Sequence, residues 1–321
     1  MKYKYACPGC FKEMVSEQID YCSACRRHLF DNKTVSPTLP FNKEEIAIPR
    51  ETVRLNIYRG KIEPLENGAW ILRPIPAMSG IRYIDDIPAN RHLMMQIAIQ
   101  VFALQTAPSG MIYFKDGEPA YLTRRFDIIK GEVKKCRDLC TLSNLDGERC
   151  ENDPNALSYM EIARLIKRHL PATTVELEKF FSQLIFNYVI CNTQTYGNRF
   201  AFLQRESGDF GLAPAHDLFS TILHFDNQPL LPLPLFSSQP DTVHSPAHRY
   251  TRKDFLKFAN HIGLKESLAI RFLDGFFEKK DAVFNLVEKS FMSSAAKKLF
   301  KKYYLDRLYD ISDTYGRPRA L

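Results

Sequence analysis

Four cysteines near the start of the chain have the spacing of a metal-binding group. Cys7 and Cys10 form one CxxC pair, Cys22 and Cys25 form a second, and eleven residues separate the two pairs. A CxxC turn directs two thiolates at one ion, and two such turns complete a tetrahedral shell. Because four protein ligands leave no open position for a substrate, the spacing predicts a structural zinc knuckle over residues 1–30.

Cysteine pairs can also be redox-active or incidental. A redox-active CxxC is expected beside a βαβ pattern, which this sequence lacks. Cys136 and Cys140 lie four residues apart and Cys150 follows, but no further ligands can be assigned to them, so we interpret them as buried or incidental thiols. A role of the knuckle in binding nucleic acid or a protein partner stays open, with a purely structural role favoured.

A basic segment near the C-terminus is the second group with chemical potential. Its cations alternate with aromatic residues: Lys297, Lys298, Lys301, Lys302 and Arg307 with Phe300, Tyr303 and Tyr304. Such a helix face can bind nucleic acid or an acidic partner, although a solvated face beside a buried stripe is the commoner arrangement. The formal net charge of +7 permits nucleic-acid or nucleotide binding without requiring it.

The elements that must position these residues begin with a small α+β unit. Residues 53–58 and 69–72 are predicted as strands, and residues 90–104 have the apolar spacing of a helix. Residues 111–114 and 120–123 flank a turn with a glycine and predict a β-hairpin.

After residue 127 the pattern becomes mostly helical. The predicted helices cover 159–169, 175–190, 254–262 with Thr251 as N-cap, about 266–288 and 293–309, and a second short hairpin joins 199–203 to 210–213. The predicted domain organisation is a knuckle over 1–30, a proline-containing linker over 31–50, a small lobe over 51–130 and a helical lobe over 131–321.

Composition narrows the class of protein. The sequence is 45% hydrophobic and 25% charged, as in ordinary globular proteins. It contains no run of about 18 apolar residues, and its first residues lack the apolar core of a signal peptide. The sequence therefore predicts a cytoplasmic protein without a membrane segment.

Four blocks resemble the HipA-like serine/threonine kinases in order and spacing. They are residues 87–92, residues 120–127 ending in Arg-Phe-Asp, residues 186–193, and residues 212–218 around Asp217. The similarity covers about residues 50–310 and is also to short family members that begin with a cysteine knuckle. It implies a two-lobed, protein-kinase-like α+β fold, with a small nucleotide lobe and a larger helical lobe, and ATP with Mg²⁺ as possible cofactors.

The resemblance also assigns positions in the catalytic loop, where this chain departs from the family. Gln194 occupies the position of the catalytic aspartate, and an amide cannot act as a general base, a loss that typically costs about 10²–10⁴-fold in rate. Arg199 occupies the position of the metal-binding asparagine, with Asn198 beside it as a potential substitute. Asp217 keeps the identity of the metal-binding aspartate.

The residues at the family's phosphate-binding positions also differ from the family pattern. Arg73 occupies the position of the nucleotide lysine, and Arg91 occupies that of its acidic partner, so two cations replace an ion pair. The stretch 49–56, which matches the phosphate-covering loop, contains no glycine. Nearby, we expect Arg125 and Asp127 to pair with each other and His92 to lie at the surface.

These departures favour a pseudokinase that acts as a binding or regulatory component of a toxin–antitoxin-like module. The resemblance implies three kinds of partner: a small protein like the HipA N-subdomain, a related kinase, or an antitoxin protein. One alternative is an active ATP-dependent Ser/Thr kinase in which Asp217, Asn198 and Arg73 serve as displaced catalytic residues. Another is a nucleic-acid-binding protein that uses the knuckle and the terminal helix.

Overall fold

The computed structural model describes residues 4–15, 20–46, 52–58, 60–143, 157–193, 200–226, 231, 233–236 and 249–312. Within these ranges the chain forms helices and antiparallel sheets. No helix in them is long and apolar enough to cross a membrane.

The N-terminal segment folds around a hairpin and one helix. Strands β1 (Lys4–Ala6) and β2 (Glu13–Val15) pair antiparallel, and helix α1 (Ser23–Phe30) follows. Asp31 ends α1 in the left-handed conformation, with φ of 52°. Helix α1 was not predicted, because its eight residues are too few for a helical period to stand out.

A five-stranded antiparallel sheet forms the small lobe. Its strands are ordered β4-β3-β5-β7-β6, namely β3 (Val53–Tyr58), β4 (Lys61–Pro64), β5 (Trp70–Pro74), β6 (Ser109–Tyr113) and β7 (Pro119–Arg124). Leu72 lies opposite Leu122 in the centre of the sheet, and both are fully buried. The hairpin predicted over residues 111–123 is confirmed as β6 and β7.

The segment predicted as a linker lies along the outer edge of β6. The Met111 N–H donates to Pro8 O at 2.8 Å, the Tyr113 N–H donates to Pro37 O at 2.8 Å, and the Leu39 N–H donates to Tyr113 O at 2.7 Å. These bonds satisfy backbone groups that an open sheet edge would leave unpaired. The knuckle and the residues after it are therefore joined to the sheet.

Helix α2 (Ile87–Gln100) crosses behind this sheet and is buried on nearly every side. Pro88 lies in its first turn, where a missing N–H costs nothing. The helix begins three residues before the predicted start and ends four residues before the predicted end. Because its polar residues Asn90, His92 and Gln96 are also buried, each must find a partner inside the protein.

The remaining described residues build the helical lobe. Its strands and short elements are β8 (Ile128–Ile129), β9 (Glu132–Val133), β10 (Cys136–Asp138), α3 (Leu139–Leu142), β11 (Ala201–Gln204) and β12 (Phe210–Leu212). Its longer helices are α4 (Tyr159–His169), α5 (Thr173–Val189), α6 (Arg252–His261), α7 (Glu266–Glu278), α8 (Lys280–Lys289) and α9 (Ser294–Ile311). Apolar side chains of α2 pack into this lobe's core.

The single helix predicted over about 266–288 is wrong. The chain breaks at Lys279, whose ψ of 9° leaves the helical range, and α7 and α8 are separate helices. No proline marks the break, and the apolar residues on both sides keep helical spacing, so periodicity alone could not reveal it.

Candidate functional site

The four predicted cysteine ligands meet in one cluster. The Sγ atoms of Cys7, Cys10, Cys22 and Cys25 all lie within 4.8 Å of one another. Cys7 and Cys22 are buried, whereas the other two are partly exposed. Hydrogen bonds from Cys10 and Cys25 lower the pKa of the Cys7 thiol, which favours a thiolate there. This group could hold a metal ion.

The backbone around the cluster fits a thiolate-bound ion. The N–H groups of Gly9 and Cys22 point at Cys7 Sγ at 3.4 and 3.2 Å, an arrangement that stabilises negative charge on sulfur. A Cβ on Gly9 would lie 2.6 Å from Cys25 Sγ, so only glycine fits between the ligands. Four soft sulfur donors in a closed group suit Zn²⁺, which prefers tetrahedral thiolate shells.

Cys136 is the first of the three cysteines interpreted as buried or incidental thiols. Among the described residues, it belongs to no group of potential metal ligands. It is exposed and far from the cluster in sequence. Cys150 lies outside the described residues.

His92 does not lie at the surface, as the sequence predicted, but is fully buried. Its Nε2 lies 3.2 Å from Gly9 O, and its ring meets the Phe11 ring edge-on at 4.5 Å. Burial lowers the pKa of His92 to about 4, so the imidazole is neutral at pH 7. The prediction failed because a polar residue at a helix start gives no sign that the knuckle covers it.

Asp217 is held by the two arginines singled out in the sequence. Arg73 binds it through two parallel hydrogen bonds, Nε to Oδ1 at 3.0 Å and Nη2 to Oδ2. Arg91 Nη1 lies 4.0 Å from Asp217 Oδ1. The Asp217 side chain is only 6% exposed, so water screens these charges weakly. A bidentate guanidinium–carboxylate contact is among the strongest polar pairs in proteins.

The segment after Asp217 is fixed to α2. Asn90 Nδ2 donates to Ser220 O at 2.9 Å, and the Ser220 N–H donates to Asn90 Oδ1 at 3.1 Å. The Arg91 guanidinium lies over the Phe219 ring at 4.5 Å. Asp217 itself has a φ of 51°, a conformation that non-glycine residues adopt only when their surroundings hold them.

A cavity of about 260 Å³ opens beside the two arginines. Its wall combines these guanidinium groups with apolar side chains, among them Met78, Ile81, Phe219 and Phe225. The polar end of this cavity suits an anion, and its apolar wall suits a flat or aliphatic group.

The catalytic-loop predictions for Gln194 and Asn198, and for Arg199 beside them, fall outside the described residues. The residue just before the loop is fixed to the segment that follows Asp217. Thr193 Oγ1 lies 2.7 Å from Thr221 Oγ1, and the Thr193 N–H donates to the same oxygen at 3.1 Å.

Two further predictions concern the Arg125–Asp127 ion pair and the basic terminal helix. The predicted Arg125–Asp127 ion pair is confirmed, with nitrogen–oxygen distances of 3.0 and 2.7 Å. In the basic terminal helix, Arg307 is not on a solvated face: it is buried and bonds Asp310 at 3.2 Å. Lys301 pairs with Glu288. Part of the predicted basic face is therefore neutralised within the protein.

A sequence profile of the HipA-like C-terminal domain matches residues 45–283 of the chain. The chain belongs to this family. A Haemophilus influenzae protein named "Putative kinase" is 22% identical to the HipA-like chain over 319 residues, covering 90% of this chain and 91% of that protein.

Two solved structures share the HipA-like fold. One is HipA in the Shewanella oneidensis MR-1 toxin–antitoxin complex with HipB and operator DNA, with a TM-score of 0.61 and 16% identity over 83% of this chain. The chain spans 64% of that HipA chain's length. The other is the Helicobacter pylori proinflammatory kinase CtkA, with a TM-score of 0.53 and 14% identity over 80% of this chain and 93% of that one.

Proposed function

We propose that this HipA-like chain is a pseudokinase that binds and regulates instead of transferring phosphate. The arginines on Asp217 carry the proposal. A carboxylate that two guanidinium groups already neutralise is a poor ligand for Mg²⁺, and phosphoryl transfer needs that ion to offset phosphate charge. Gln194 supports the same reading because an amide accepts no proton.

The proposed setting is a module of the toxin–antitoxin type. Its support is the fold shared with HipA, which was solved together with HipB and operator DNA. The partners proposed for this chain are an antitoxin protein, a small protein like the HipA N-subdomain, or a related active kinase. DNA or RNA is a second class of partner, supported by the exposed Lys298 and Lys302 on α9.

The proposed resident metal is one zinc ion bound by Cys7, Cys10, Cys22 and Cys25. A closed shell of four thiolates supplies folding free energy and offers no position for substrate. The ion is therefore structural in this proposal. Because Arg73 bonds Asp217 directly, a nucleotide would bind only weakly, in the cavity beside Arg73 and Arg91.

A γ-phosphate transfer assay tests the proposal directly. We expect no transfer from ATP above background with Mg²⁺ or Mn²⁺, with the wild-type chain and with Asp217→Ala alike. Transfer by the wild-type chain that is lost in Asp217→Ala would instead establish an active Ser/Thr kinase with displaced catalytic residues. Transfer that persists in Asp217→Ala would indicate a contaminating kinase. In that case the wild-type and Asp217→Ala preparations would show the same sensitivity to kinase inhibitors.

A further inference from the structure

We infer that the cysteine knuckle positions α2 and, through it, the two arginines that hold Asp217 (the arginine clamp, Arg73 and Arg91), so that metal loading of the knuckle controls the cleft around Asp217. The inference rests on two parts of the proposed function: the zinc site, and the closed cleft, meaning the cleft in which Arg73 and Arg91 hold Asp217. It adds regulation to them: the cleft of the metal-free protein opens.

The first link joins the knuckle to the middle of α2. Gly9 lies between two ligands, and its carbonyl is 3.2 Å from His92 Nε2. His92 is fully buried, and its other ring nitrogen, Nδ1, has no hydrogen-bond partner in the described part of the chain. Breaking the single hydrogen bond of this buried imidazole would cost free energy, because its nitrogen would be left without a partner. The position of α2 therefore depends on where Gly9 is held.

The second link joins the knuckle to the C-terminal end of the same helix. Gln100 Nε2 donates to the carbonyl of the ligand Cys10 at 3.1 Å. Phe11, which follows Cys10 and has a φ of 62°, packs against both the His92 ring and the Phe291 ring. The first CxxC turn therefore contacts α2 near its middle and at its C-terminal end, and an ion that fixes this turn fixes the helix.

The third link runs from α2 to the cleft. Asn90 and Arg91, the two residues before His92, bond Ser220 and approach Asp217. Successive helix residues point about 100° apart, so neighbouring side chains of one rigid helix reach both sites. A helix buried on nearly all sides moves as a body, because a close-packed interior tolerates few intermediate positions.

A parallel route reaches the other arginine. Trp70 Nε1 donates to the carbonyl of Leu29, in the knuckle helix, at 2.9 Å. Trp70 lies on β5, and Arg73 follows it on the same strand. Tyr21 Oη also donates to Met111 O at 2.5 Å, which ties the second cysteine pair to the sheet. Both residues of the clamp are thus carried by elements that the knuckle contacts.

Hydrogen–deuterium exchange of the intact chain measures this coupling at residues 217–223, where the Ser220 N–H is held by Asn90. We expect exchange there to accelerate about tenfold when a chelator removes zinc, the effect of losing about one hydrogen bond of support. In zinc-loaded His92→Phe, which keeps the ring but lacks the donor, the same acceleration is expected. His92→Gln, which can restore the bond, should exchange like the wild-type protein.

His28→Phe is the matched control, because His28 is an exposed histidine on the knuckle helix. It should leave residues 217–223 protected and the zinc content unchanged. Exchange over residues 266–311 shows whether the helical lobe remains folded in each sample.

Three results test the coupling, the metal assignment and the closed cleft separately. Faster exchange confined to the knuckle after zinc removal, with residues 217–223 unchanged there and in His92→Phe, overturns the coupling. A chain that binds no zinc refutes the metal assignment, while His92→Phe still tests the mechanical link. Rapid exchange at residues 217–223 in the zinc-loaded wild type refutes the closed cleft of the proposed function.

Discussion

The charge balance around Asp217 decides what the cleft can bind. Arg73, Arg91 and Asp217 together carry one excess positive charge, where the family places a lysine, an acid and a free metal-binding carboxylate. The side chains are poorly exposed, so their interactions are stronger than those of surface pairs. Magnesium would have to displace a bidentate guanidinium and approach a second cation. An anion meets neither obstacle.

Restoring the family's charges should restore metal-dependent binding. In the double variant Arg73→Lys with Arg91→Glu, we expect ATP affinity in Mg²⁺ to rise at least about tenfold, because a compact cation and a new carboxylate free Asp217 for the metal. Titration calorimetry measures this change. Arg164→Glu makes a similar charge change at an exposed position on α4 and should not alter affinity. An equal gain in Arg164→Glu would mean that net charge, not the clamp, is responsible.

His224 should make stability depend on pH. Its Nδ1 lies 2.8 Å from Arg82 O and its Nε2 lies 2.8 Å from Asn90 Nδ2, so the neutral ring donates at one nitrogen and accepts at the other. Burial lowers its pKa to about 4, below the usual histidine value of 6.5. A folded pKa below the unfolded one means that the stability contribution is present above about pH 6.5 and is lost as the pH falls towards 4.

Urea unfolding between pH 7 and pH 4 tests this assignment. We expect His224→Gln to lose stability at pH 7 and to show a shallower decline towards pH 4 than the wild-type protein. His261→Gln, at an exposed position on α6, should keep the wild-type slope. A wild-type slope in His224→Gln would show that other groups produce the acid sensitivity.

Local sequence signals located helices and strands well where capping and periodicity agree. The α4 bounds match the prediction because Ser158 and Glu161 form a reciprocal capping box. Helix α1, strand β4 and the break at Lys279 were missed, since each depends on short segments or on packing. His92 was misplaced for the same reason: its burial depends on a knuckle that is 83 residues away from it in sequence.

The first CxxC turn should tolerate no side chain at position 9. In Gly9→Ala the new Cβ would lie 2.6 Å from Cys25 Sγ, so the turn must shift and we expect zinc affinity to fall at least about tenfold. A competition titration with a chromogenic chelator measures the loss. Gly275→Ala in α7 is the control, because nothing lies within 4 Å of its Cβ and alanine favours helix. Unchanged zinc affinity in Gly9→Ala would contradict the proposed ligand geometry.

Two apolar cores organise the described residues, and the knuckle contributes to both. Its Phe11 lies in the helical core. Cys7, Tyr21, Leu29 and Phe30 pack with the buried residues of the five-stranded sheet, whereas α2 packs into the helical core. A segment of about 30 residues is too small for a core of its own, and its sequence does not show which surface completes it. Likewise, the resemblance matched Arg73 and Asp217 to positions of the family's motifs, while their direct contact spans 144 residues and needed the fold.

Removing zinc should therefore loosen the small lobe and not the knuckle alone. Trp70, the one tryptophan of the chain, donates to Leu29 O and reports on this boundary. We expect chelation to shift its emission to the red and to lower the melting temperature, because the shared core loses part of its support. As a control, Cys136→Ser should still bind one zinc ion per chain. A Trp70 emission maximum that does not change on chelation would show that the knuckle does not support the sheet.

The magnesium dependence of nucleotide affinity tests the closed cleft most directly. Calorimetric titration of the wild-type chain with ATP, once in Mg²⁺ and once in EDTA, compares the two affinities under otherwise equal conditions. With Asp217 held by arginines, we expect the two dissociation constants to agree within a factor of about two. ATP affinity that is at least tenfold higher in Mg²⁺ than in EDTA, with this gain lost in Asp217→Asn, would contradict this account.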